Sequence, residues 1–123
     1  MDNCLFCKIA AKQIPSSIVY EDEDLLAFKD INPAAPVHLL VIPKRHVATL
    51  SDCDASHTEV LGKMLALAPR LARENGCDVT YDADGTPGGG YKTLINSGPD
   101  GGQEVYHLHL HMYGGPRPWR GQR

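Results

Sequence analysis

The sequence predicts an α+β domain: a five-stranded antiparallel sheet with one short and one long helix. Three observations carry that reading. Short apolar stretches bounded by turn residues recur at 18–20, 25–28, 37–43, 91–96 and 105–112, which is how strands read. One long apolar stripe at helical spacing covers about residues 56–74. The turns at 21–24 and 97–100 return the chain on itself, which makes the neighbouring strands antiparallel. At 123 residues one domain accounts for the chain, burying roughly 65% of the surface the unfolded form exposes. No internal repeat appears.

From the N-terminus, Cys4 to Lys12 places Leu5, Phe6, Ile9 and Ala10 at helical spacing, and Pro15 closes this short helix. Ile18-Val19-Tyr20 and Leu25-Leu26-Ala27-Phe28 flank the acidic turn Glu21-Asp22-Glu23-Asp24 and form a hairpin. Pro33 and Pro36 stiffen the connection that carries Asp30 and Ile31. Val37 to Pro43 is nearly continuous in apolar residues, as a central strand buried on both faces requires, with His38 inside it. Lys44-Arg45-His46 follows as the one compact basic cluster.

The long helix opens on a capping box of Ser56 and Glu59. Val60, Leu61, Met64, Leu65, Ala68, Leu71 and Ala72 form its buried stripe. Pro69 is expected to kink it, because proline removes a helix hydrogen bond and collides with the preceding turn. Gly76 suits the left-handed position after its end. Residues 82–90, rich in glycine and without hydrophobic period, are expected to be a mobile loop. They are not a phosphate loop, since no Gly-Lys-Ser/Thr follows and they open no helix. Tyr91 to Asn96 is the next strand, and its antiparallel return brings Asn96 near Gly101-Gly102.

A net charge of −3 argues against a broad nucleic-acid or membrane footprint and leaves room for a pocket taking a small anion. Met1-Asp2-Asn3-Cys4 has neither the basic start nor the apolar run of a secretory leader, and a cytoplasmic protein is expected. Its four cysteines, Cys4, Cys7, Cys53 and Cys77, are then thiols rather than disulfides. Cys4 and Cys7 form a Cys-x-x-Cys pair, which needs two further ligands to hold zinc or a thioredoxin-like surrounding to do redox work.

The richest chemistry lies in Gly101-Gly102-Gln103-Glu104-Val105-Tyr106-His107-Leu108-His109-Leu110-His111. Three histidines alternate with apolar residues at a strand's period of two. On one strand they project from one face, roughly 7 Å apart, with Tyr106, Leu108, Leu110 and Met112 turned to the core and Val105 beside the histidines. Imidazole serves as nucleophile, general acid or metal ligand near neutral pH, so three on one face imply phosphate chemistry or metal binding. The Gly-Gly pair lets backbone N–H groups approach an anion, and Gln103 adds an amide donor.

This run, continued by Met112-Tyr113-Gly114-Gly115, resembles the histidine-triad nucleotide-binding family in its Hint branch. The resemblance covers nearly the whole chain. It implies a single domain over 1–113, a tail over 114–123, and a homodimer whose two sheets join into one. It implies a purine nucleoside phosphoramidase that splits P–N bonds through a nucleotidyl-histidine, needing no cofactor for catalysis and taking purine nucleoside monophosphates as ligands. His109 is then the nucleophile, His111 a donor to the phosphoryl oxygens, His38 a fourth active-site histidine, and His107 a member of the row with little chemical duty. Asn96, Gln103 and backbone N–H groups near Gly102 and Glu104 position the phosphate or leaving group. Asp30 accepts from the ribose hydroxyls, Leu5, Phe6 and Ile31 wall the base, and Trp119 in the tail reaches a partner subunit's site. Some members carry a serine where this chain has Glu104, which leaves the leaving-group proton without an assigned source. Several members hold a structural zinc through a Cys-x-x-Cys pair and two histidines, here Cys4, Cys7, His46 and His107. Other readings stay open at this stage: a dinucleoside polyphosphate hydrolase or nucleotidylyl transferase of the wider superfamily, a non-enzymatic nucleotide-binding module, or a metalloenzyme that uses His107, His109 and His111 directly as ligands.

Overall fold

The computed structural model describes residues 4–119. Residues 120–123 of the expected tail lie outside them. The order is α1 (Leu5–Ala10), β1 (Ile18–Glu21), β2 (Leu25–Lys29), β3 (Val37–Pro43), α2 (Thr58–Glu74), β4 (Val79–Tyr81), β5 (Pro87–Gly89), β6 (Tyr91–Leu94) and β7 (Leu110–Gly114). Five strands form the expected antiparallel sheet in the order β1-β2-β3-β7-β6.

Alternation along the central strands divides the core in two. Leu25 and Ala27 of β2 and Leu39 and Val41 of β3 face α2, meeting Met64, Leu67, Ala68, Leu71 and Ala72 together with Leu108, Leu110 and Met112. Leu26, Phe28, Leu40 and Ile42 turn the other way and pack on Phe6 and Ile9 of α1. A strand buried on both faces needs apolar residues at every position, which explains the near-continuous run in β3. Residues paired across an antiparallel ladder share a face. His38 opposite Tyr113 and Leu40 opposite His111 therefore stand together on the α1 side. The site occupies that side.

Several local expectations are corrected. The triad is not one strand, for β7 begins only at Leu110. Residues 105–109 are irregular, and Tyr106, expected in the core, is 41% exposed. The cap at 54–57 is built by Asp54, whose carboxylate accepts from Ser56 N–H at 2.8 Å while its own N–H donates to His57 Nδ1 at 3.1 Å. Ser56 and Glu59 do not form the box; Glu59 pairs with Lys63 instead. In α2 Leu65 is 55% exposed and Leu67 takes the buried place assigned to it. Positions 64, 67, 68, 71 and 72 are the true stripe. Residues 79–89, expected in part as a loop, form the small antiparallel hairpin of β4 and β5. Short α1 ends before Lys12, whose φ of 65° takes the chain out of helical geometry ahead of Pro15.

Candidate active site and metal site

Within the row of three, the first histidine parts company with the other two. His107 is fully buried, and its Nε2–H donates to the Pro43 carbonyl at 2.7 Å. That bond places the ring's proton on Nε2 and leaves the Nδ1 lone pair for other work. Nδ1 lies 3.3 Å from Cys4 Sγ, 3.4 Å from Cys7 Sγ and 3.2 Å from His46 Nδ1. Cys7 Sγ is in turn 3.3 Å from His46 Nδ1. All four donor atoms lie within 4.8 Å of one another. Two thiols and two imidazoles this close together form the S₂N₂ donor set a structural metal can take, and the outer hydrogen bond to Pro43 orients the buried His107 as metal-binding histidines require. The residues thus fit a structural metal. Burial, with the Cys4 sulfur alongside, pushes the Cys7 thiol up to about 11, and a cation among these donors reverses that by favouring thiolate.

His109 and His111 face a separate cavity of about 410 Å³ lined by Phe6, Asp30, Asn32, His38, Leu40, Asn96, Gly102, Glu104, Val105 and Tyr113 besides themselves. Hollows of about 490 Å³ beside Lys63 and about 620 Å³ beside Trp119 are larger, but neither contains His109. Nδ1–H of His109 donates to the His107 carbonyl at 2.7 Å. Its Nε2 is therefore the unprotonated nitrogen, and it has no hydrogen-bond partner among the described residues. Burial lowers the affinity of this ring for a second proton.

The tautomer of His111 follows from a chain of three bonds. Ala34 N–H donates to His38 Nδ1 at 3.1 Å, so His38 carries its proton on Nε2. That Nε2–H points to His111 Nδ1 at 3.0 Å, with the Asp30 carboxylate 3.5 Å away. Accepting on Nδ1, neutral His111 keeps its own proton on Nε2. Burial first, then neighbouring His109 and His38, push it down to about 4. His38 is lowered too, chiefly by burial and against the pull of Asp30.

The Gly-Gly turn behaves differently from its expected role. Its N–H groups are used inside the turn: Gly101 donates to Gly98 O at 3.2 Å, Gly102 to Pro99 O at 3.1 Å and Gln103 to Gly98 O at 3.0 Å. Gln103 is buried and braces the loop, donating to Ala48 O at 2.8 Å and Val105 O at 3.1 Å while accepting from Gly98 N–H at 3.0 Å. It offers no free amide to the cavity. Asn96 does lie at the turn, as expected, with Nδ2 donating to Gly101 O at 2.7 Å. Gly102, at φ 83°, lines the cavity in a conformation glycine tolerates.

Of the residues expected on the nucleoside side, Asp30 and Phe6 line the cavity, whereas Leu5 and Ile31 do not; Ile31 is 97% exposed on the stiff loop. Trp119 packs within its own chain, its Nε1–H donating to Gly115 O at 2.9 Å and its ring 6.1 Å from Tyr113. Tyr113 had no assigned role in the sequence reading. Its ring stacks on His111 at 5.5 Å and lies 4.3 Å from His38. Continuing the period of two from His109 and His111 by one step reaches it.

A family model described as "Scavenger mRNA decapping enzyme C-term binding" matches residues 3–122. Protein HitA of Neisseria gonorrhoeae is 52% identical over 116 residues, covering 94% of this chain and 99% of that one. Purine nucleoside phosphoramidase of Escherichia coli strain K12 is 40% identical over 114 residues, covering 93% and 88%. A 14 kDa zinc-binding protein of Zea mays is 44% identical over 113 residues, covering 90% and 80%. Among solved structures, a HIT family hydrolase from Legionella pneumophila superposes with a TM-score of 0.83 at 46% identity, covering 94% of this chain and 95% of that one. With the histidine row, the sheet and these relatives all in agreement, the chain belongs to the histidine-triad (HIT) family of hydrolases.

Proposed function

We propose that the chain hydrolyses the P–N bond of purine nucleoside 5′-phosphoramidates, of the AMP-amine or aminoacyl-AMP type. The carrying observation is the bond from His109 Nδ1–H to the His107 carbonyl, which holds Nε2 unprotonated toward the cavity. Nε2 attacks the α-phosphorus, the P–N bond breaks as the leaving amine takes a proton from solvent water, and a nucleotidyl-histidine forms. Water then attacks the same phosphorus, freeing the nucleoside monophosphate and His109. Neutral His111 donates through Nε2–H to a phosphoryl oxygen as charge builds there. His38 acts through His111, fixing its tautomer. Asp30 accepts from the ribose hydroxyls and Phe6 walls the base. Glu104 lines the cavity where the leaving amine departs. The name and identity of the Escherichia coli relative support this substrate class.

The Cys4, Cys7, His46 and His107 set holds a structural zinc in this reading, as the name of the maize relative supports. When bound, the metal supplies rigidity and no step of the hydrolysis. Its presence beside the cavity also assigns His107 away from chemistry, in contrast to a metalloenzyme with all three histidines on one ion. We further read the chain as a cytoplasmic homodimer, paired through the outer edge of β6, with Trp119 at the rim of the site.

A second reading, cleavage of a P–O–P bond in a dinucleoside polyphosphate, is favoured by the family model whose description names a decapping enzyme. Steady-state turnover of adenosine 5′-phosphoramidate against diadenosine tetraphosphate, for the intact protein and His109→Ala, separates the readings. Phosphoramidate turnover that survives chelation and falls about 10⁴-fold or more in the variant is expected. Preferred turnover of the polyphosphate sinks the first reading. Nucleotide binding without turnover of either leaves only a binding module.

A further inference from the structure

His107 belongs to both polar centres at once. Its imidazole faces Cys4, Cys7 and His46, while its carbonyl oxygen holds the His109 proton at 2.7 Å. Helix α1 makes a second link. Cys4 caps the helix, its sulfur accepting from Cys7 N–H at 3.3 Å, and Cys7 lies within it. Between them Phe6 presses its ring edge on both histidines, 6.1 Å from His107 and 5.1 Å from His109, and lines the cavity. A third link ties the next residue of the row to the segment after His46, for Leu108 N–H donates to Val47 O at 2.7 Å. Each link is a single residue long. No flexible connection separates the four donors from the nitrogen that faces the cavity.

We propose that metal occupancy at Cys4, Cys7, His46 and His107 is thermodynamically linked to nucleotide binding at His109, with His107 and Phe6 as positioning residues. The proposal rests on the nucleotide reading above. Its physical basis is the crowding of the donors. Two imidazole nitrogens 3.2 Å apart, with two sulfurs beside them, crowd four donor atoms into one small volume. A cation satisfies all four donors together, whereas protons satisfy them only pairwise. Relaxation of the cluster in the metal-free protein shifts the His107 peptide and α1. Those are the same two parts that hold the His109 tautomer and the Phe6 wall. A nucleotide seated on His109 requires them in place, so each ligand favours the arrangement the other needs. Such coupling is reciprocal by thermodynamic necessity.

The test compares protein reconstituted with Zn²⁺ with protein stripped by a chelator and checked for retained fold by circular dichroism. Titration calorimetry reads the AMP Kd of each form, and competition with a chromogenic chelator reads Zn²⁺ affinity with and without saturating AMP. Zinc is expected to tighten AMP binding about fivefold or more, and AMP to tighten zinc binding by the same factor. His46→Ala removes a donor whose ring meets His107 and Cys7 Sγ; in the presence of zinc it is expected to show the metal-free AMP Kd. Phe6→Leu keeps all four donors and is expected to retain zinc affinity while cutting the coupling at least about twofold. Nitrogen-15 NMR of His109 supplies a readout that simple stabilisation does not move: one Nδ1–H tautomer with zinc, a mixture without. Equal AMP affinity in both forms, or coupling undiminished in Phe6→Leu, overturns the linkage and leaves the nucleotide reading standing. Failure of AMP to bind either form overturns both.

Discussion

Burial takes His111 down to about 4 and lowers His38 from its ordinary 6.5, so both are neutral where the site works. The unfolded chain, in which these rings titrate near 6.5, therefore takes up protons first as pH falls. A group with a depressed imidazole pKa leaves stability full above about 6.5 and erodes it from there toward about 4. The urea midpoint is accordingly expected to fall between pH 7.5 and pH 5, with a shallower fall in His111→Gln. A midpoint that holds or rises toward acid contradicts the neutral relay. At this scale the alternation of histidines in the sequence marks the row as the place to look, while the separation of His107 from His109 and His111 rests on the family resemblance and not on their spacing. Nothing in the spacing says that residues 105–109 leave the strand and turn His107 toward the cysteines. Gln103 illustrates the same limit, since an amide donor beside glycines reads equally as ligand group or loop brace until its partners, the Ala48 and Val105 carbonyls, are known.

Helix α2 shows what hydrophobic period can and cannot resolve. Leu71 is fully buried at the centre of the stripe, against strand residues of the α2 face. Leu71→Ala is expected to lower the unfolding free energy by about 2–5 kcal/mol, read from denaturant midpoints at unchanged slope. A cost below about 0.5 kcal/mol, the range of surface changes, excludes this packing. The stripe was legible because four of its positions recur at helical spacing; Leu65 and Leu67 exchanged places because both are leucine and only the phase of the helix separates them. Capping was misplaced for a related reason. Asp54, Ser56 and His57 lie within one turn, and both Asp54 and Ser56 are good caps, so composition does not choose the one that closes the 3₁₀ turn at Ala55–His57. The β4–β5 hairpin escaped notice because Pro87-Gly88-Gly89 has none of the side chains that mark a strand.

In the whole molecule the sheet serves as a partition. One face is filled by α2, and the other carries α1, the donors for metal and the cavity, so the chemistry is confined to a single side. Strand β6 has β7 as its one sheet neighbour, which leaves its outer edge for the pairing proposed above. Light scattering is then expected to give twice the 13.4 kDa of one chain, and a monomer at micromolar concentration removes the joined sheet from the reading. The wall of the cavity has one more consequence. With its histidines neutral, the charged side chains among its lining residues are Asp30 and Glu104, both negative, and among the described residues no lysine or arginine joins them. The chain as a whole is also negative, at −3. In the proposed reaction a phosphate therefore approaches against the protein's long-range field and is held, once inside, by contact with His109 Nε2 and the His111 Nε2–H. Dissolved salt screens the repulsion without weakening the grip. Stopped-flow association of a nucleotide is expected to quicken as ionic strength rises, the opposite of capture by a site lined with lysine and arginine, and a rate that slows with salt would reveal cations in the approach.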